Sequence, residues 1–423
     1  MQEDVLHYIW LYKKFEFINL KTTNNLNVVI TSIGQHNHNS GPDFFNAKLE
    51  IDNQLWAGNV EIHVKSSDWY LHKHETDKAY DNVILHVVWE HDTEIFRKDN
   101  TEIPTLELKS IVNKDFYAQY LNLYTNKQQW INCENDFTSV TDFTFKNWIE
   151  RLYFERLQRR AELISTLLEQ SKNNWEAVLF QLLAKNFGLK VNGDVFLELS
   201  KSIDFSVVRK QQHNITQLEA LFFGQANLLS DDVEDVYHKT LQKEYQFLKQ
   251  KFCLKPMQSQ LQFFRLRPAN FPTIRLSQLA NLFGTQHQLF SKLMKAKTLK
   301  EMYLVLDISV SKFWETHYTF SKTSKFQKKS LSKTFKDLLI INTIIPLKYS
   351  YTKYQGSFNA ELLLEVIQEI PIENNSIVAK FQTIKKMSKT ALQSQSLLEL
   401  KTNYCDKNKC VQCAIGNALL QQK

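Results

Sequence analysis

Between Phe45 and Trp89 the apolar period of the chain changes in a way that few folds accommodate. Phe45, Ala47, Leu49 and Ile51 alternate with Asn46, Lys48, Glu50 and Asp52, the period of a half-buried strand. Asn53 supplies a turn, and Leu55–Lys65 continues as a second strand, with Val60, Ile62 and Val64 on one face and Glu61, His63 and Lys65 on the other. Val83–Trp89 (VILHVVW) is then almost continuously apolar, as in a strand covered on both faces. Around this centre, residues 4–16 place Val5, Leu6, Ile9 and Trp10 at helical spacing, and 27–33 (NVVITSI) reads as a strand. Residues 35–42 (QHNHNSGP) read as a loop, and Ser66-Ser67-Asp68 as the cap of a following helix or turn. A hairpin near Lys98-Asp99-Asn100 leads to a last strand near 102–108. Residues 1–125 are therefore expected to form an α/β domain.

From Asp142 the period becomes helical, with Phe145, Trp148, Ile149, Leu152, Leu157, Leu163 and Leu167 on one stripe. Amphipathic stretches recur near 175–187, 215–224, 233–251, 276–294, 360–369 and 388–401, without a fixed repeat period. The organisation expected is an α/β domain over 1–125, a linker over 126–141 and a larger all-α domain over 142–423. With 423 residues but only 9 Gly and 7 Pro, ordered packing should dominate over flexible linkers. No run of 18 apolar residues suggests a membrane span, and the acidic start MQEDVLHYIW is unlike a signal peptide, so a cytoplasmic location is expected. Charge divides sharply: residues 1–125 carry 11 Lys/Arg against 18 Asp/Glu, and the remainder 41 against 27. An acidic first part suits a cation and a basic second part a polyanion, although lysine-rich helical surfaces also serve solubility alone.

Seven of the twelve histidines fall between His36 and His91. If the strands flanking Asn53 pair, Asp43 and Glu61 converge near one end of the hairpin. Two carboxylates there would bind Mg²⁺ or Mn²⁺ and leave waters free for chemistry. His72, His74 and Asp77, with His63 nearby, form a second ligand set suited to Zn²⁺, Mn²⁺ or Fe²⁺. Cys405, Cys410 and Cys413 have the spacing C-x4-C-x2-C, one thiolate short of a tetrahedral site. Cys133 is the best fourth candidate, and Zn²⁺ or a [4Fe–4S] cluster would suit four cysteines. In 264–276, Arg265, Arg267 and Arg275 interleave with aromatics and prolines; they either hold phosphates beside stacked bases or cap helix carbonyls. The stretch 319–336, with six lysines and no acid, reads as a solvated loop.

Pro42-Asp43 followed after 17 residues by Glu61-Ile62-His63 resembles the signature of the PD-(D/E)XK nucleases. That resemblance implies a restriction-endonuclease-like mixed sheet with flanking helices. It also implies Asp43 and Glu61 as metal ligands, with Glu3 of the first helix as a further one. The motif's lysine is absent: His63 stands in its place, and Lys65 lies on the same face. Some members carry an iron–sulfur staple of one early and three late cysteines, a layout similar to this one. Longer strings, GPDF at 41–44, GNVEIH at 58–63, SDWYLHKH at 67–74, RLRPANFPTIRLSQLA at 265–280 and YCDKNKCVQCAIGNALL at 404–420, resemble an uncharacterised bacterial family, DUF2851. The function expected is metal-dependent hydrolysis of a nucleic-acid phosphodiester, with Asp43 and Glu61 on the metal and His63 or Lys65 assisting the water. The alternatives are a non-catalytic nucleic-acid-binding protein with a structural metal, and a histidine-rich metallohydrolase acting on a small molecule.

Overall fold

The strand that carries Glu61 is the longest in the protein and lies near the middle of its sheet. In the computed structural model, which describes residues 1–37, 39–125, 129–231, 233–255, 257–387 and 389–421, the first elements are α1 (Glu3–Leu11), β1 (Leu20–Lys21), β2 (Asn27–Ser32), β3 (Gln35–His36), β4 (Phe44–Ile51) and β5 (Gln54–Lys65). A short helix α2 (Asp68–Leu71), β6 (Val83–Glu90), β7 (Thr105–Glu107) and α3 (Lys114–Thr125) follow. His38 of the histidine group and residues 126–128 of the expected linker lie outside the described residues.

The sheet order is β1-β2-β4-β5-β6-β7, with β3 paired to β4. Its first half is antiparallel, whereas β5–β6 and β6–β7 run parallel. Asp52 and Asn53 link β4 to β5 as a two-residue turn, both at positive φ, the backbone that matches the twist of the strands it joins. The β6 side chains from Val83 to Val88 are all buried, as their unbroken apolar run requires. The helix α1 ends at Leu11, short of the expected residue 16, because Lys13 takes a left-handed conformation and the Lys14 amide turns back to Ile9 O. Val5, Leu6, Ile9 and Trp10 seal it into the core, and it packs against β5.

The chain forms two compact units: Met1–Trp148 with Gln382–Lys385 and Leu400–Lys423, and Ile149–Phe381 with Lys386–Glu399. The helical domain expected over 142–423 therefore differs at both ends. The start of helix α4 (Asp142–Gln170) and the C-terminal segment belong with the sheet, where Cys405, Cys410 and Cys413 meet Cys133.

The second unit is helical. Its helices include α5 (Trp175–Phe187), α6 (Leu189–Lys201), α7 (Phe205–Gln211), α8 (Ile215–Gln225), α9 (Val236–Phe252) and α10 (Pro272–Thr285). The stretch expected as one helix over 276–294 is broken after α10, where Gln288 is left-handed, and resumes at Leu289–Lys295. On α4, Leu163 is exposed and Ile164 takes the buried position. Helix α6 has no counterpart in the periodic stretches, since Asn192-Gly193 interrupts its apolar pattern. Asn192 is nevertheless buried and exchanges hydrogen bonds of 2.9 and 2.8 Å with the Gln262 backbone. The lysine-rich stretch is more ordered than expected: His317–Thr319 pairs with Lys322–Thr323, and Lys329 is buried against the carbonyls of Trp314 and His317. Among the described residues no helix is long and apolar enough to cross a membrane.

Two outcomes follow from this packing. A Cβ on Gly58 would stand 2.4 Å from Ile84 Cγ2 and 2.6 Å from Asn82 O, so Gly58→Ala should wedge β6 from β5. Thermal unfolding should show a loss of about 1–3 kcal/mol, as for other overpacked cores; an unchanged melting temperature would refute the close approach. In the second unit, the Lys348 ammonium donates to the carbonyls of Met294 and Ala296, and burial pushes its pKa down to about 8. The unfolded chain then binds the proton more tightly, so this group adds stability as pH rises from about 8 towards its ordinary 10.5. Denaturant unfolding at pH 7.5 and 10 should show that increment in the wild type and not in Lys348→Met.

Candidate metal centre

Strand pairing brings the two carboxylates together as the hairpin predicts. Phe44 faces Val60 across β4–β5, which sets Asp43 beside Glu61. The Asp43 amide donates to Glu61 Oε2 at 3.1 Å, and the Ile62 amide donates to Asp43 Oδ2 at 2.9 Å. Helix α1 lays Glu3 and His7, one turn apart, over this end of β5. His7 Nε2 stands 3.2 Å from Asp43 Oδ2, and one ligand atom from each of Glu3, His7 and Asp43 lies within 4.8 Å of the others.

These carboxyls crowd one another. Burial, followed by the Asp43 charge, pushes Glu61 up to about 9. Glu3 is raised for the same two reasons. Burial opposes protonation of His7, yet the hydrogen bond and charge of Asp43 leave its pKa above the ordinary value. A divalent cation would relieve this accumulation of acceptors by binding to them.

Histidines close the other side of Glu61. His63 is fully buried, with Nδ1 2.8 Å from His86 Nε2 and Nε2 3.1 Å from His72 Nδ1. His74 Nε2 lies 3.3 Å, and His63 Nε2 3.5 Å, from Glu61 Oε1. Ligand atoms of His63, His72 and His74 all lie within 4.8 Å of one another. Bonds of ~2.0–2.1 Å around a tetrahedral ion place its ligands about 3.3 Å apart. The three imidazoles gather near that spacing, with His63 and His72 3.1 Å apart, while Glu61 approaches two of them, at 3.3 and 3.5 Å, without belonging to the set of three. A proton on His63 Nδ1, given to His86, leaves the Nε2 lone pair facing that position. Burial and then the neighbouring imidazoles push His63 down to about 3, and His86 is likewise held well below its ordinary value. Tyr80 stacks on His74 with ring centroids 3.7 Å apart, and Trp69 meets both His74 and His86 edge-on.

Several expectations change here. Glu61 and His63 do not face solvent, because α1 and the 66–80 segment cover that face of β5. Lys65 is exposed, and the acid whose pKa its charge helps to lower is Asp92, after the hydrogen bonds from Ser67. Asp77 stays outside the imidazole set, since its carboxylate caps the next turn by accepting from the Ala79 amide. Arg275 is not available to a nucleic acid: it is buried, bound to Gln278 and Asn270, and lies 3.6 Å over the Phe335 ring. Arg265 and Arg267 are exposed. His7, His86 and Tyr80 are contributors that motif reading passed over. Glu3 and His7 at i and i+4 of an acidic first helix were the available signal.

The four cysteines also gather within the first unit. Cys133, Cys405, Cys410 and Cys413 line one cavity of about 340 Å³ of atom-free space, its open mouth included. Cys253 is exposed and apart from them. Burial raises all four thiols, Cys413 to about 11; neighbouring cysteines raise Cys133, Cys405 and Cys413 further, and the Asp4 charge raises Cys410.

The chain belongs to a family described as proteins of unknown function (DUF2851), which matches residues 3–376. No curated protein and no solved structure matches it.

Titration with Mn²⁺ or Zn²⁺ should raise the melting temperature, by about 2.7 kcal/mol of stability at a hundredfold excess over Kd. Glu61→Ala, which removes a crowded buried carboxyl, should lose that stabilisation, whereas Lys65→Ala should keep it. Equal stabilisation of all three proteins would rule this centre out.

Proposed function

From membership in a family without an assigned reaction, and from this side-chain geometry, we propose that the chain is a metal-dependent hydrolase of phosphodiesters, with nucleic acid as its substrate class. The observation that carries the reading is the position of Glu61. One carboxylate oxygen turns to the Asp43 side, where Glu3 and His7 converge, and the other turns to His63 and His74. Two ligand groups flanking one carboxylate suit a pair of divalent cations. Such ions polarise a phosphoryl oxygen and lower the pKa of a bound water.

The restriction-endonuclease-like reading rests on element order. A helix, an antiparallel trio β2, β4 and β5, a helical crossover and a parallel β6 carry Asp43 at the start of one strand and Glu61 on the next. His63 does not replace the motif's lysine as a cation, since it is fully buried between His86 and His72. Its chemistry is that of a neutral nitrogen ligand. This favours Mn²⁺ or Zn²⁺ at the imidazole side, with Mg²⁺ or Mn²⁺ at the carboxylate side. The basic excess after residue 125 supports a polyanionic substrate, to which exposed Arg265 and Arg267 are candidate contacts.

The nitrogen-rich donor set supports a second reading, a metallohydrolase acting on a small phosphate ester or a related substrate. The two readings separate experimentally. The full-length protein with Mn²⁺, Mg²⁺ or Zn²⁺ should cleave single- or double-stranded DNA or RNA. Asp43→Asn and Glu61→Gln should lower the rate about 10²-fold or more, as loss of several kcal/mol of metal-assisted stabilisation requires. Hydrolysis of small phosphate esters alone would select the second reading. Nucleic-acid binding without any cleavage would select a non-catalytic binder.

A further inference from the structure

The cysteine cavity is independent of the carboxylate–histidine centre. Its four sulfurs come from two places in the chain: Cys133 before α4, and Cys405, Cys410 and Cys413 in the C-terminal segment. They surround an atom-free space instead of closing on a point. Among the described residues, the groups whose ligand atoms all lie within 4.8 Å of one another are His63–His72–His74 and Glu3–His7–Asp43, and no three of the cysteines form one. A zinc ion with ~2.3 Å bonds would draw tetrahedral thiolates to about 3.8 Å of one another. In a cubane cluster each thiolate binds a different iron, so the sulfurs stand farther apart around a filled volume.

The surroundings suit thiolate ligands. The backbone amides of Ile415 and Gly416 donate to Cys413 Sγ, and Asn132 Nδ2 donates to Cys410 Sγ at 3.5 Å. Such amide–sulfur bonds stabilise metal-bound thiolate. Gly416 permits the close wrap, since a Cβ there would stand 2.2 Å from Cys410 O. Phe137, Leu400 and Ile415 contribute apolar walls to the cavity.

We propose that Cys133, Cys405, Cys410 and Cys413 bind a [4Fe–4S] cluster that fastens the C-terminal segment of the first unit. The fastened segment lies against α1: the turn at Cys410–Gln412 packs on that helix, Asp4 acts on Cys410, and Gln421 Nε2 donates to Tyr8 OH at 3.4 Å. The same helix carries Glu3 and His7, so the cluster steadies one wall of the hydrolytic centre without joining its chemistry. Assembly is a ligand exchange. Each cysteine thiol passes its proton to a leaving thiolate and its sulfur binds the iron that thiolate vacates; no electron moves.

The test is anaerobic transfer of a [4Fe–4S] cluster ligated by a small thiol to the full-length protein. Wild type should acquire absorbance near about 400 nm with about four iron and four sulfide per chain. Exposed Cys253→Ser should behave identically, while Cys405→Ser and Cys410→Ser should lose most of that absorbance, with circular dichroism confirming that each variant is folded. Cluster loading should also raise the melting temperature of wild type and not of the two ligand variants. Failure of wild type to take up the cluster, undiminished uptake by both ligand variants, or a single tightly held zinc that blocks uptake would overturn the proposal. Metal content and absorbance do not depend on hydrolysis, so a missing nuclease activity would leave this outcome unaffected.

Discussion

Asp43 and Glu61 hold each other's strands. The Asp43 amide donates to the Glu61 carboxylate, and the amide beyond Glu61 donates to the Asp43 carboxylate. This reciprocal pair sits at the end of the β4–β5 ladder, just beyond the Phe44–Val60 pair, so the two acids extend the strand pairing past its last backbone partners. Both side chains therefore have fixed orientations, and each still turns oxygen atoms towards a different set of neighbours. The arrangement leaves two carboxyls crowded in a buried place, which raises Glu61 and makes a cation the natural complement.

The buried imidazoles extend the same principle to nitrogen. His86 lies opposite Glu61 on the parallel neighbour β6, and Trp69 packs edge-on against it. Through His86 the position of His63 is tied to the most buried strand of the sheet. Tyr80 fixes His74 by stacking. A site supported in this way is set in advance, so a ligand does not have to pay for ordering it. The exposed His72 is the one imidazole of the trio that faces solvent, and it marks the open side of the centre.

Much of the fold was legible in local pattern. The alternation through β4 and β5, the two-residue turn at Asp52-Asn53 and the apolar run of β6 each predict an element that the structure contains. Helix α6 was not legible, because Asn192-Gly193 resembles a turn until the Gln262 backbone satisfies the asparagine from 70 residues away. Lys65 shows the opposite error. Face alternation places it with Glu61 and His63, yet β5 reaches solvent at that residue and Lys65 is exposed.

The sequence by itself determined which residue types were available: two acids at hairpin spacing, a density of histidines and a C-terminal run of cysteines. These are local properties of composition and period. Only the tertiary structure decided which of them meet. Glu3 and His7 reach Asp43 because α1 packs across β5, and His86 reaches His63 because β6 runs parallel beside it. Cys133 joins three cysteines more than 270 residues later because the C-terminal segment returns to the first unit. Spacing along a chain fixes neighbours within a few residues. Contacts across hundreds depend on burial and strand order, which no single segment encodes.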